Sequence, residues 1–124
     1  MRTVTVTAAA TALALTALLP GASAASAAAP RLGACPPGAL CLWEREGFKG
    51  PRHTHELYET GTDGCVPLAG GRTAASLANR TGRPVTVYQS PECDETGEYD
   101  THPGAGSWTP AAPYRIRAFM IRES

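Results

Sequence analysis

The chain has 124 residues with 11 basic and 11 acidic side chains, so its formal net charge is zero. That balance excludes the basic excess expected of a nucleic-acid or anionic-membrane binder. A single lysine, Lys49, accompanies ten arginines, and all eight aromatic residues lie beyond the first forty positions.

The first element in chain order is a leader. Arg2 supplies one positive charge, and residues 4–19 carry none and are almost entirely Ala, Val, Thr and Leu. Pro20-Gly21 interrupts this run, and Ala22-Ser23-Ala24-Ala25-Ser26-Ala27 follows. This order of basic, apolar and small-residue regions predicts a secretory signal peptide over residues 1–24, with cleavage as late as residue 29. A membrane anchor fits less well, because the apolar run falls short of the ~20 residues that a span requires. Leu32-Gly33-Ala34-Cys35 loosely matches a lipidation box, but a dozen residues separate it from the apolar region. The expectation is a secreted protein that has no membrane association once cleaved.

Residues 25–34 read as a flexible lead, and residues 35–124 as one domain. Cys35, Cys41, Cys65 and Cys93 all fall in the exported part, where an even number predicts two disulfides. The spacings contain no C-x₂-C pair, which argues against a zinc site. A domain of this size has a small core and gains from such staples.

Short β-type runs alternate with turns. The runs are Leu40-Cys41-Leu42-Trp43-Glu44, then Pro84-Val85-Thr86-Val87-Tyr88-Gln89, then 114–121. Turn signals at Pro36-Pro37-Gly38, Gly50-Pro51, Asp63-Gly64, Gly70-Gly71, Thr81-Gly82 and Pro103-Gly104 separate them. The spacing predicts an all-β sandwich or barrel.

The most specific local pattern is Trp43-Glu44-Arg45-Glu46-Gly47-Phe48-Lys49-Gly50, followed later by Ser76. It resembles the Greek-key signature of βγ-crystallins. In that signature a hairpin folds over its own sheet, a glycine (here Gly50) takes a positive φ, and Trp43 and Phe48 pack beneath. A downstream serine hydroxyl, here Ser76, satisfies backbone groups that the fold-over leaves unpaired. A second, looser copy begins at Tyr88, with Gly97 and Ser107 in the corresponding roles.

With Cys35-Pro36-Pro37-Gly38-Ala39-Leu40-Cys41, Gly61-Thr62-Asp63-Gly64, Ala75-Ser76-Leu77-Ala78-Asn79 and Val87-Tyr88, the chain resembles the streptomycete metalloproteinase-inhibitor family. The resemblance implies a single-domain, βγ-crystallin-like Greek-key β-barrel with two disulfides, and inhibition of thermolysin-like zinc proteases. Of three possible connectivities, Cys35–Cys41 and Cys65–Cys93 is expected, since the Pro-Pro-Gly turn brings the first pair together. The family's reactive element lies between the first two strands of the second Greek key, tethered by a close cysteine pair. Here that stretch holds one cysteine, and the fourth is Cys65 in the first key. Two loops are therefore candidates. One is Ser90, Pro91, Glu92, Cys93 and Asp94, and the other is built around Cys65 and Val66. A non-inhibitory extracellular binding module that kept the scaffold is the alternative.

Other chemistry is weaker. His53-Thr54-His55 could place two ligands on one strand face without an evident third, and His55-Glu56-Leu57-Tyr58-Glu59 departs from H-E-x-x-H at its last position. There is no G-x-S-x-G elbow, so no enzyme is expected. The residues before Ser76 and Ser107 lack the carboxylates that calcium requires, and Arg72 would repel the ion. No cofactor is expected, and the mature protein should be a monomer whose partner is a secreted protease. Intact-mass analysis of culture supernatant should find a first residue between Ala25 and Pro30. A chain starting at Met1, or a lipid mass on Cys35, would contradict export with cleavage.

Overall fold

The computed structural model describes residues 32–124, so the expected signal peptide and most of the lead lie outside the described residues. Eight strands follow one another: β1 (Ala39–Arg45), β2 (Lys49–Glu56), β3 (Val66–Pro67), β4 (Ser76–Asn79), β5 (Val85–Tyr88), β6 (Tyr99–His102), β7 (Ser107–Thr109) and β8 (Ala118–Ile121). One helical turn (Leu57–Thr60) follows β2. All pairings are antiparallel and form two four-stranded sheets, ordered β2-β1-β4-β7 and β3-β8-β5-β6. The chain is thus two successive Greek keys, β1–β4 and β5–β8, each of which sends its third strand to the edge of the other's sheet. This is the βγ-crystallin-like sandwich with two disulfides that the sequence predicts.

Leu40, Leu42 and Leu77 project from the first sheet, and Val85, Val87, Phe119 and Ile121 from the second, into a core completed by Leu68, Ala74 and Ile116. The outer face of the first sheet is covered too. Ala39, Cys41, Trp43 and Ala78 pack there with Cys35, Phe48 and Trp108. Both faces of β1 are therefore buried, which explains the unbroken apolar run Ala39-Leu40-Cys41-Leu42-Trp43 where a one-sided strand would alternate.

The disulfide Cys35–Cys41 straps the incoming chain over that outer face. Gly33 O accepts the Trp108 indole Nε1–H at 3.0 Å, Ala34 O accepts from Arg52, and Cys35 O accepts from Arg80. Gly33 must be glycine, because a Cβ there would stand 2.6 Å from the Trp43 ring.

The β1–β2 hairpin folds over the same face. Gly50 takes φ 82°, and Trp43 and Phe48 meet edge to face with ring centroids 5.2 Å apart. Ser76 is fully buried; its Oγ accepts the Phe48 N–H at 3.0 Å and donates to Arg45 O at 2.7 Å. At the junction of the keys, the buried Asn79 holds a corner. Its Nδ2 lies within hydrogen-bond reach of the carbonyls of Arg83, His102 and Pro103, and its Oδ1 accepts from the Thr81 N–H and hydroxyl.

The second key is built differently. Gly97 lies outside the left-handed region, which Cys93 adopts instead at φ 59°. Ser107 sits in β7, and its hydroxyl donates to Pro103 O. The register position equivalent to Ser76, opposite the first aromatic of the key, is Ala118 opposite Tyr88.

Removing the Ser76 hydroxyl strips partners from two backbone groups at once. Ser76→Ala should cost about 2–3 kcal/mol in urea unfolding, and Ser107→Ala, at an exposed bond, under about 0.5.

Candidate inhibitory loop and its tether

The β5–β6 connection, residues 89–98, leaves the second sheet as a closed arm. Its base is shut by the Gln89 N–H to Glu98 O at 2.9 Å, with the Gln89 side chain accepting from the Glu98 N–H. Within it, Ser90 organises a turn: its Oγ accepts the Glu92 N–H at 3.1 Å and its carbonyl accepts the Cys93 N–H at 3.1 Å. The Asp94 carboxylate accepts the Thr96 N–H at 3.1 Å. Serine and aspartate favour such local bonds to the backbone, which is why this polar stretch holds a shape without a core. Pro91, Glu92, Asp94 and Glu95 are exposed, and Cys93 is half-buried.

Cys93 is bonded to Cys65, which lies just before β3. The partner side is firmly held. Val66 and Pro67 pair with Phe119 and Ala118 of β8, the Leu68 N–H bonds Arg117 O at 2.9 Å, and the Asp63 N–H bonds Ile121 O at 2.7 Å. The disulfide therefore pins the arm to the second sheet. Val66 is half-buried against the core and its backbone is part of the ladder. Val66 and Pro67 are thus held in the ladder, whereas Pro91, Glu92 and Asp94 of the first candidate loop are exposed, as is Cys65 of the second.

The arm is acidic. Glu92, Asp94, Glu95 and Glu98 lie on it, Asp100 follows in β6, and Asp63 lies on the tethering loop. Below it the Tyr114 hydroxyl donates to Val87 O; burial first, and then the carboxylates of Asp100 and Glu98, push its pKa up. The phenol therefore remains a donor at any ordinary pH.

The two histidines of β2 do not converge on one point. His53 Nε2 lies 2.8 Å from the Glu44 carboxylate, which also accepts from Arg72 at 2.9 Å. Those two hydrogen bonds, that from His53 foremost, hold the Glu44 carboxyl below its usual range. His55 lies between the sheets with its ring centroid 4.6 Å from that of Phe119, and its Nε2 has no hydrogen-bond partner among the described residues. Among the described residues no three His, Cys, Asp or Glu side chains are grouped as metal ligands. Grooves of about 320–430 Å³ open on the surface of the described residues, and one of them is bordered by Pro91 of the arm.

The model of peptidase inhibitor family I36 matches residues 28–101, more than half of the chain and all four cysteines. The chain belongs to that family. No curated protein and no solved structure matches it. The tether is legible in the sequence from one signal, the single cysteine in an otherwise polar connection. The closure by Gln89 and Glu98 leaves no such signal, because it depends on the register of β5 against β6.

Burial, with a smaller contribution from His53, lowers the pKa of His55, and burial lowers that of His102. The native state then binds fewer protons than the unfolded state below the ordinary histidine pKa of 6.5, so stability is full above that value and declines as pH falls. Urea midpoints should decrease from about pH 7 to about pH 5. His55→Leu should remove part of that slope, and an unchanged slope would contradict the assignment.

Proposed function

We propose that this member of the inhibitor family is exported and, as an extracellular monomer, blocks a secreted peptidase by docking residues 90–94 of the tethered arm in the enzyme's cleft. The observation that carries the reading is the Cys65–Cys93 bridge. It fixes an exposed, locally hydrogen-bonded loop to a β-ladder, so docking orders little that was not already ordered. A loop that is mobile when free loses that advantage, because each side chain and backbone segment immobilised on binding costs affinity.

The resemblance supports a thermolysin-like zinc peptidase as the target. The arm's acidity is compatible with such a target, because zinc accepts carboxylate oxygen as well as nitrogen and sulfur. Glu92 and Asp94 flank the bridged Cys93 and are the carboxylates nearest the tether. Pro91 is the apolar contact that the tip offers. Cys93 in the left-handed region means that the chain does not run extended through this point, so the tip fills a cleft as a bent plug rather than as an extended substrate strand.

Titration of the mature protein against thermolysin and a panel of secreted serine peptidases tests the reading. Inhibition at micromolar concentrations is expected for the zinc enzyme. It should survive Val66→Gly, fall steeply with Glu92→Ala, and weaken by about tenfold or more when Cys65 and Cys93 are both changed to serine. Full enzyme activity at micromolar protein across the panel would leave the non-inhibitory binding module as the reading.

A further inference from the structure

The groove bordered by Pro91 has a volume of about 320 Å³ and is lined on its other sides by Leu68, Gly71, Arg72, Thr73 and Arg117. Its chemistry is opposite to that of the arm beside it. The Arg115 guanidinium donates to the Thr73 hydroxyl at 3.3 Å, adding a third arginine next to Arg72 and Arg117. Only Arg72 is neutralised, by Glu44. Arg117 is exposed, and among the described residues its guanidinium has neither an ion pair nor a hydrogen bond. Its backbone is fixed on both sides, with its N–H bonded to Tyr88 O and its carbonyl to the Leu68 N–H, so the side chain leaves the sheet from a rigid point. None of the arm's carboxylates pairs with these arginines among the described residues. The sign of charge therefore changes across Pro91: Glu92, Asp94 and Glu95 lie on one side, and Arg72, Arg115 and Arg117 on the other.

We infer that this groove is a second docking element, which receives a carboxylate-bearing segment of the partner peptidase at the rim of its cleft. The inference rests on the inhibitor reading and adds the partner's chemistry to it. The warrant is contiguity joined to desolvation. Pro91 belongs to both the docking loop and the groove wall, so a protein surface that covers the loop also covers the groove. Covering Arg117 without a counter-charge would bury an unpaired cation, which is costly, whereas a carboxylate placed there gains charge-assisted hydrogen bonds from a planar fork of donors. The same charge pattern steers the encounter, so its loss should appear first in the association rate.

The test uses the mature protein with Arg117→Glu and Arg117→Gln, and with Lys49→Glu as a control that makes the same charge reversal on β2. Thermal melts first establish that each variant folds. Progress-curve kinetics on the inhibited peptidase should show association slowed about tenfold by Arg117→Glu and less by Arg117→Gln. That loss should shrink as salt is raised, and Lys49→Glu should change little. In parallel, acetylated tetraglutamate titrated into labelled protein should shift the amide signals of Leu68, Thr73 and Arg117 in the wild type and not in Arg117→Glu. Association unchanged by Arg117→Glu, where Glu92→Ala abolishes inhibition, overturns the inference and leaves the inhibitor reading standing. Failure of the wild type to inhibit any peptidase ends that reading; the peptide titration then decides the groove alone, and the absence of shifts overturns it.

Discussion

Neither half of this domain completes its own sheet. β3, from the first key, closes the edge beside β8, and β7, from the second, closes the edge beside β4. Antiparallel pairing across the exchange, Val66 with Phe119 and Ala78 with Trp108, ties each half to the other through backbone hydrogen bonds as well as through the shared core. The arm that carries the candidate contact depends on this exchange directly. Its tether ends at Cys65, and Cys65 is held at the second sheet because the residues on both sides of it bond there. A scaffold of two self-contained keys would leave that cysteine on the wrong sheet.

The two disulfides divide their work along the same line. Cys35 and Cys41 are buried and hold the entering chain against Trp43, where side chain and backbone contacts already converge. Cys65 is exposed and joins two loops that share little apolar contact. The first bridge thus lies within packed side chains, and the second adds a covalent anchor to an arm otherwise ordered by its own hydrogen bonds. Functional precision in a loop with no core has to come from covalent and hydrogen-bonded restraint, because hydrophobic burial is unavailable there.

The sequence made three of the four central strands legible, but neither β4 nor the edges. β1, β5 and β8 lie inside their sheets, and their apolar runs survive as Leu40-Cys41-Leu42-Trp43, Val85-Thr86-Val87-Tyr88 and Ala118-Phe119-Met120-Ile121. β2 reads Lys-Gly-Pro-Arg-His-Thr-His-Glu, and β6 reads Tyr-Asp-Thr-His; both are edges, paired on one side and largely exposed. Charge and proline on such edges discourage unwanted pairing, and for the same reason they erase the pattern by which a strand is read. Residues 114–117 looked like part of the last strand, but of these Ile116 alone makes a bridge, to Ala74, before β8 begins. The looser second copy assigns the serine's role to Ser107, which lies in β7. Register alone shows that Ala118 occupies that position, and register is a property of pairing that no local spacing contains.

Asn79 has a consequence outside the physics of the fold. With Arg80 and Thr81 it spells N-x-T, the acceptor triplet for oligosaccharide transfer in a eukaryotic secretory pathway. The nitrogen that would receive the sugar is the Nδ2 that reaches three carbonyls, on a residue with no exposed surface. Transfer acts on the nascent chain, before that corner closes, and a glycan of any size would then stand where Arg83, His102 and Pro103 must converge. Material made in yeast or mammalian cells would divide into an unmodified fraction that folds and a glycosylated one that cannot, so the host for recombinant production is a bacterial periplasm, where disulfides form and the triplet is ignored.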